Sequence, residues 1–148
     1  MRQILFVGEQ PGTPGGEAFA PYGRGTGVRL ARLAGMDSYS FRSRFEFINL
    51  MSWGPWSVPI ARGAASKIIP LALHHGATRI VLLGRRVSEA FGNGTHSKAR
   101  YFVEFEREGF TIVSIPHPSG RNRLWNNPRN VRKAEALIRR WVRWARRG

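Results

Sequence analysis

The sequence predicts an α/β fold: a three-layer α/β/α arrangement on a central, mostly parallel sheet of four strands. Three features predict it. Short apolar runs recur at Leu5-Phe6-Val7 and Ile80-Val81-Leu82-Leu83, each stopping at a glycine, as buried parallel strands do when they feed a turn. Stretches with helical spacing of apolar residues alternate with these runs. Polar clusters follow the strand ends, where ligands bind in open α/β sheets.

Taken in order, Arg2 to Val7 reads as the first strand, and Gly8 opens a loop reaching Gly25 that is too rich in Gly and Pro for regular structure. Long loops of this kind inside compact domains are usually functional. Thr26 is placed to cap a helix through Leu33, with Val28, Leu30, Ala31 and Leu33 available for an apolar face and Gly35 as its stop. Phe45 to Leu50 reads as the second strand, followed by turns at Ser52-Trp53-Gly54-Pro55-Trp56. A helix is expected from about Pro59 to His75, ended by Gly76. The third strand, Ile80 to Leu83, leads through Gly84 into a helix from Val87 to Phe91. A β-pair follows, Tyr101 to Phe105 and Phe110 to Ile115, turned at Arg107-Glu108-Gly109, and its last strand runs into His117-Pro118-Ser119-Gly120. Pro128 starts the final helix, where Val131, Ala134, Leu137, Ile138 and Trp141 recur at helical spacing. No repeat or boundary divides the chain, so residues 1–148 are expected to form one domain.

Composition narrows the function. A chain of 148 residues, 42% of them hydrophobic, can bury one core, and no apolar run approaches the roughly 20 residues of a membrane span. Met1 leads into the first strand without the charged, apolar and cleavage-site order of a secretory signal. The absence of cysteine excludes disulfides, thiolate metal sites and cysteine-held iron–sulfur clusters. The expectation is a monomer of the cytoplasm or nucleoid, with no cofactor, no metal and no membrane partner. The formal charge of +15, from 24 Lys and Arg against 9 Asp and Glu, far exceeds the roughly 2–8 that keeps a small domain soluble. Nearly all the cations are arginine, which suits bidentate phosphate contacts. Nucleic acid is the expected partner.

Three polar sites converge on one expected sheet edge: Gly8-Glu9-Gln10-Pro11, Asn49 and His117-Pro118-Ser119. With their neighbours, these segments carry a resemblance. Gly8-Glu9-Gln10-Pro11-Gly12 resembles the first motif of the uracil-DNA glycosylase superfamily, and His117-Pro118-Ser119-Gly120-Arg121-Asn122 resembles its second, the His-Pro-Ser loop. Pro21-Tyr22-Gly23-Arg24-Gly25-Thr26-Gly27 is similar to the stretch that stacks an aromatic ring on the flipped base. Phe47-Ile48-Asn49-Leu50 is similar to the strand that ends in a base-reading asparagine. The order and spacing of all four agree, so the likeness spans most of the chain.

The resemblance implies a uracil-DNA glycosylase-like fold and a monofunctional glycosylase acting on single- or double-stranded DNA. Such an enzyme flips uracil, or a related deaminated base, out of the stack and hydrolyses its N-glycosidic bond. The chemistry needs a donor at the base oxygen, where negative charge develops, and an acceptor that holds a water near the sugar. His117 is the natural donor, since even a neutral imidazole donates from one ring nitrogen. Glu9 and Gln10 are both candidates for the water. Other branches carry Asp or Asn at the position of Gln10, or Glu at that of Glu9. Glu9, the only carboxylate of the pair, is assigned water activation, and a purely loop-ordering role stays open for it. Gln10 can orient the water through its carbonyl.

Asn49 can accept from the ring N–H of uracil and donate to the adjoining carbonyl, a pattern that cytosine reverses. Gly8, Pro11 and Gly12 would shape the base pocket, and Tyr22, with Phe19 as its rival, would stack on the base. Ser119, Gly120, Asn122 and Arg24 suit the DNA backbone, and Arg121, Arg123 or Leu124 suits a wedge in the vacated stack. The Arg-Asn pair after His-Pro-Ser resembles the single-strand-selective monofunctional branch.

The chain departs from the family in several places. It lacks the four cysteines of the cluster-bearing branches, and the region after the asparagine strand, Trp53-Gly54-Pro55-Trp56 and Arg62-Gly63, holds no histidine where the uracil-crosslinking members have a reactive one. Thr13-Pro14-Gly15-Gly16 replaces the usual acids after Gly12, and Trp53 and Trp56 can reshape the pocket. Two alternatives follow: a glycosylase for another modified base, and a catalytically inactive DNA-binding module of the same fold. Gly23-Arg24-Gly25 is only a partial dinucleotide-binding match.

Overall fold

A computed structural model describes residues 3–11, 25–95, 98–119 and 121–148. Strand β1 (Gln3–Gly8) is followed by helices α1 (Thr26–Ala34) and α2 (Ser38–Arg44), then β2 (Glu46–Asn49), α3 (Val58–His74) and β3 (Ala77–Leu83). Next come α4 (Arg85–Ala90), a short hairpin of β4 (Gly94–Thr95) and β5 (Lys98–Ala99), β6 (Phe105–Arg107) and β7 (Phe110–Ile115). A 3₁₀ turn (Arg123–Asn126) leads into the last helix, α5 (Pro128–Arg146).

The central sheet has the order β2-β1-β3-β7-β6. Its first four strands are parallel and β6 is antiparallel to β7. The sheet therefore has five strands and not the expected four, because the antiparallel member of the β-pair, β6, joins the four parallel strands as an edge through its pairing with β7. The Tyr101 to Phe105 strand expected from the sequence does not form as such. Phe102 adopts φ +65°, which breaks an extended run, so Tyr101 makes only an isolated bridge to Ser114 and pairing starts at Phe105. The reversal at Glu108 and Gly109, φ +51° and +85°, matches the expected turn.

Side-chain alternation along the strands builds both cores. Ile4 and Phe6 of β1, Val81 and Leu83 of β3, and Val113 and Ile115 of β7 face α1, α2 and α5. Leu5, Val7, Ile80, Leu82 and Ile112 face α3 and α4. With a period of two, continuous apolar runs bury both faces, and the result is helix, sheet, helix.

Local chemistry sets the helix ends. Thr26 is the first residue of α1 rather than its cap; Gly25 takes the cap position with φ +108° and no side-chain bond. Helix α2 has no counterpart among the sequence expectations. Asp37 caps it by accepting from the Ser40 amide at 2.8 Å, and only Phe41 is buried, so it lacks an apolar period. Ser57 caps α3, and Asn127 caps α5 ahead of Pro128. Phe6 stacks on Phe47 at 5.3 Å and meets Phe41 and Phe45 edge-on, which locks β2 against β1 and sets where Asn49 ends.

Candidate active site

Because β1, β2, β3 and β7 are parallel, their C-terminal ends emerge together. The Leu50 amide donates to Gly8 O and the Met51 amide to Glu9 O, both at 3.0 Å, joining the exits of β1 and β2. The Gly84 amide donates to Ile115 O at 2.9 Å, joining the exits of β3 and β7. The segments carrying Glu9, Asn49, Gly84 and His117 thus share one edge.

Gly84 brings the two titratable groups together. Its φ of +95° suits a residue without a side chain, and a Cβ there would lie 3.0 Å from His117 Cβ and 3.5 Å from Glu9 Oε1. His117 and Glu9 converge over the space a side chain would fill. The His117 backbone is fixed from below: its carbonyl accepts from Trp125 Nε1 at 2.8 Å and from Asn122 Nδ2 at 3.2 Å. Trp125 is 7% exposed and belongs to the core, so the loop is anchored to the body of the protein. Burial pushes the His117 imidazole below its ordinary value of 6.5, and the Glu9 carboxylate partly opposes that shift. The imidazole is therefore neutral at pH 7, able to donate one hydrogen bond and carry no charge.

Glu9 and His117 line an open cavity of about 460 Å³ with Asn122, Leu124, Arg85, Arg86 and Tyr101. The last three are functional candidates that sequence reasoning missed. A signal was available for the arginines, because Gly84-Arg85-Arg86 follows a buried strand just as the recognised motifs do. Nothing in the sequence marks Tyr101. Arg86 Nη1 lies 3.8 Å from Glu9 Oε2, and its guanidinium sits 5.5 Å from the Trp56 ring centre. Burial, aided by Glu9 and opposed by Arg85, raises the Tyr101 phenol above 10, which keeps it a hydrogen-bond donor.

A buried polar chain supports this wall. Asn93 Nδ2 donates to Ser114 Oγ at 2.7 Å, and Ser88 Oγ lies 2.8 Å from Ser114 Oγ and 2.7 Å from Gly84 O. With one proton per hydroxyl, the consistent direction runs from Asn93 through Ser114 and Ser88 to the Gly84 carbonyl.

The other expected site residues divide as follows. Asn49 ends β2 opposite Gly8, half-buried at the same edge, but does not line the cavity. Gln10 has a buried Oε1 without a hydrogen-bond partner among the described residues, and Pro11 beside it is half-buried. Ser119 is half-buried, whereas Arg121 and Arg123 are exposed and Leu124 stands 42% exposed at the cavity mouth. Asn122 turns its amide inward, bracing His117 and capping the Leu124 amide. Gly12, Phe19, Tyr22, Arg24 and Gly120 lie outside the described residues. Among the described residues no group of three or more His, Cys, Asp or Glu could hold a metal ion, and no helix is long and apolar enough to cross a membrane.

A neutral imidazole and a carboxylate thus share a cavity rimmed by two guanidinium groups, an arrangement suited to a polyanion whose reacting part gains negative charge. Compared with known families, residues 2–142 match the family model described as the uracil DNA glycosylase superfamily. A comparison with curated proteins gives no match.

Proposed function

The chain belongs to the uracil DNA glycosylase superfamily, and on that premise we propose that it is a monofunctional DNA glycosylase releasing uracil or a related deaminated base. The observation that carries the reading is the convergence of His117 and Glu9 over Gly84, beside a cavity at the C-terminal sheet edge.

In the proposed reaction the C1′–N bond breaks and its electron pair leaves with the base. The neutral His117 imidazole donates a hydrogen bond to the base oxygen where that charge gathers, and the guanidinium groups of Arg85 and Arg86 add a favourable field. The oxygen of a water bonds to C1′, and its surplus proton passes to the Glu9 carboxylate and on to solvent. The Gln10 carbonyl, buried and without a partner among the described residues, suits the task of accepting from that water, since a buried acceptor left without a partner costs about 1–3 kcal/mol. Glu9 also opposes the positive charge that builds on the sugar, and Arg86 keeps it oriented.

Asn49 reads the base edge and Tyr22, or Phe19, stacks on its face. Leu124, exposed at the cavity mouth, is the wedge we favour over Arg121 and Arg123. Ser119, with Arg24 and the neighbouring amides, holds the backbone. The motifs contain no lysine to form a Schiff base, so the product is an abasic site in an uncut strand. A second reading, excision of a different modified base, is favoured by the donors of Arg85, Arg86 and Tyr101 in the cavity wall.

The test is incubation with oligonucleotides containing uracil, hypoxanthine, xanthine or 5-hydroxymethyluracil, then hot alkali to break abasic sites. Release of one base, reduced by about 10²–10⁴ in His117→Ala with DNA affinity kept, is the expected result. Parallel loss of affinity assigns His117 a structural role. No release of any base overturns the enzyme reading in favour of a DNA-binding module.

A further inference from the structure

Arginines crowd α5, but the fold sends its two ends to different places. Pro128 follows the 3₁₀ turn that packs beneath His117, whereas the last turns reach the start of β3. At 1.5 Å per residue, about 22 Å of helix separates Pro128 from Arg143. At that far pole Arg79, Arg140, Arg143, Arg147, Trp144 and Glu104 line a second cavity, of about 660 Å³. Arg79 comes from β3, near the N-terminal ends of the parallel strands, and its guanidinium lies 4.1 Å from the centre of the Trp144 ring.

The balance of charge in this cavity is one-sided. Its single carboxylate among the described residues, Glu104, is occupied by an ion pair with Arg140 and by the Trp141 indole N–H at 2.7 Å. Neither Arg143 nor Arg147 has a carboxylate partner among the described residues, although one helical turn brings them side by side. The negative end of the helix dipole favours cations in the last turn, yet it does not account for Arg79, which arrives from the sheet. Guanidinium forks match phosphate oxygens bidentately, and the half-buried Trp144 ring offers an apolar surface beside them.

We propose that this far-pole cavity is a second nucleic-acid surface, in which Arg79, Arg143 and Arg147 hold a phosphodiester backbone separate from the strand at the His117 site. The inference rests on the DNA-binding part of the function proposed above and not on its chemistry. With contacts at two opposite poles, one protein molecule joins two stretches of DNA.

The experiment uses the full chain with two differently labelled, undamaged duplexes, whose co-capture reports bridging, and follows binding by anisotropy across a salt series. Wild type is expected to bridge. Arg143→Ala/Arg147→Ala is expected to lose bridging and to lower the slope of log K against log salt by about 1.8, since each phosphate contact contributes about 0.9. Arg143→Lys/Arg147→Lys keeps the charge and retains the slope, which controls for folding. Arg44→Ala/Lys67→Ala, two exposed cations outside the cavity, should keep bridging. Failure of the wild type to bridge, or equal effects of the two alanine pairs, overturns the proposal. Base release from oligonucleotides containing uracil, hypoxanthine, xanthine or 5-hydroxymethyluracil is read in parallel: its absence from all four alongside arginine-dependent bridging refutes the glycosylase chemistry and supports this surface.

Discussion

Replacing Gly84 by alanine tests how the site is assembled. Two costs follow from the geometry. A side chain at φ +95° occupies a sparsely allowed region, at about 1–3 kcal/mol. The added Cβ also falls 3.0 Å from His117 Cβ, closer than carbon atoms pack, so the His117 loop must retreat by some tenths of an ångström. The comparator is Gly109→Ala, where φ is +85° but nothing lies within 4 Å of the new Cβ. Both variants should melt lower by about 2–12 °C, taking roughly 2–4 °C per kcal/mol for a chain of this size. Only Gly84→Ala should also slow the reaction, by about 10-fold, since an ångström of misplacement can cost about 10²-fold. Scanning calorimetry measures the first effect; single-turnover base release, well below the melting temperature, measures the second. Wild-type release by Gly84→Ala, with a melting point lowered no further than in Gly109→Ala, would refute the idea that this glycine sets the catalytic geometry.

Other predictions come from the same region. Burial lowers the folded-state affinity of His117 for protons, in an environment that also holds Glu9, Arg85, Arg86 and Tyr101. Its contribution to stability is therefore complete above pH 6.5 and lost as pH falls through the lower folded value. Base release should likewise be flat just above 6.5 and decline on the acid side; a decline confined to the alkaline side contradicts a neutral donor. Trp125→Phe keeps an aromatic ring but removes the donor to the His117 carbonyl and leaves a gap where the larger indole packs, which should cost more in urea unfolding than the about 1 kcal/mol of the hydrogen bond and slow base release several-fold. An unchanged rate means that Asn122 alone holds the loop. Ser114→Ala strips Asn93 and Ser88 of their shared partner and should destabilise the fold by about 1–3 kcal/mol at constant denaturant slope. A neutral result there points to a water taking the vacated position.

Much of this protein is legible in its sequence because the relevant signals are local. The runs Leu5-Phe6-Val7 and Ile80 to Leu83 specify buried parallel strands, and helical spacing from Val131 to Trp141 specifies α5. The Gly-Glu-Gln-Pro-Gly and His-Pro-Ser segments, in order, indicate the family and the sheet edge where chemistry is expected. Local signals fall short where one residue's conformation or one distant contact decides. A left-handed Phe102 delays the fifth strand until Phe105, and a single buried phenylalanine leaves α2 without a period to detect. Arg85, Arg86 and Tyr101 reach the cavity wall only because β3, α4 and the segment after β5 converge there. Arginines recur from one end of α5 to the other, yet helix rise carries Arg143 and Arg147 away from the His117 loop, and the β3 register brings Arg79 to meet them. Periodicity and turn chemistry act over a few residues and are written in the chain itself. The closeness of His117 to Glu9 across Gly84 depends on strands far apart in sequence, and tertiary packing alone sets that distance.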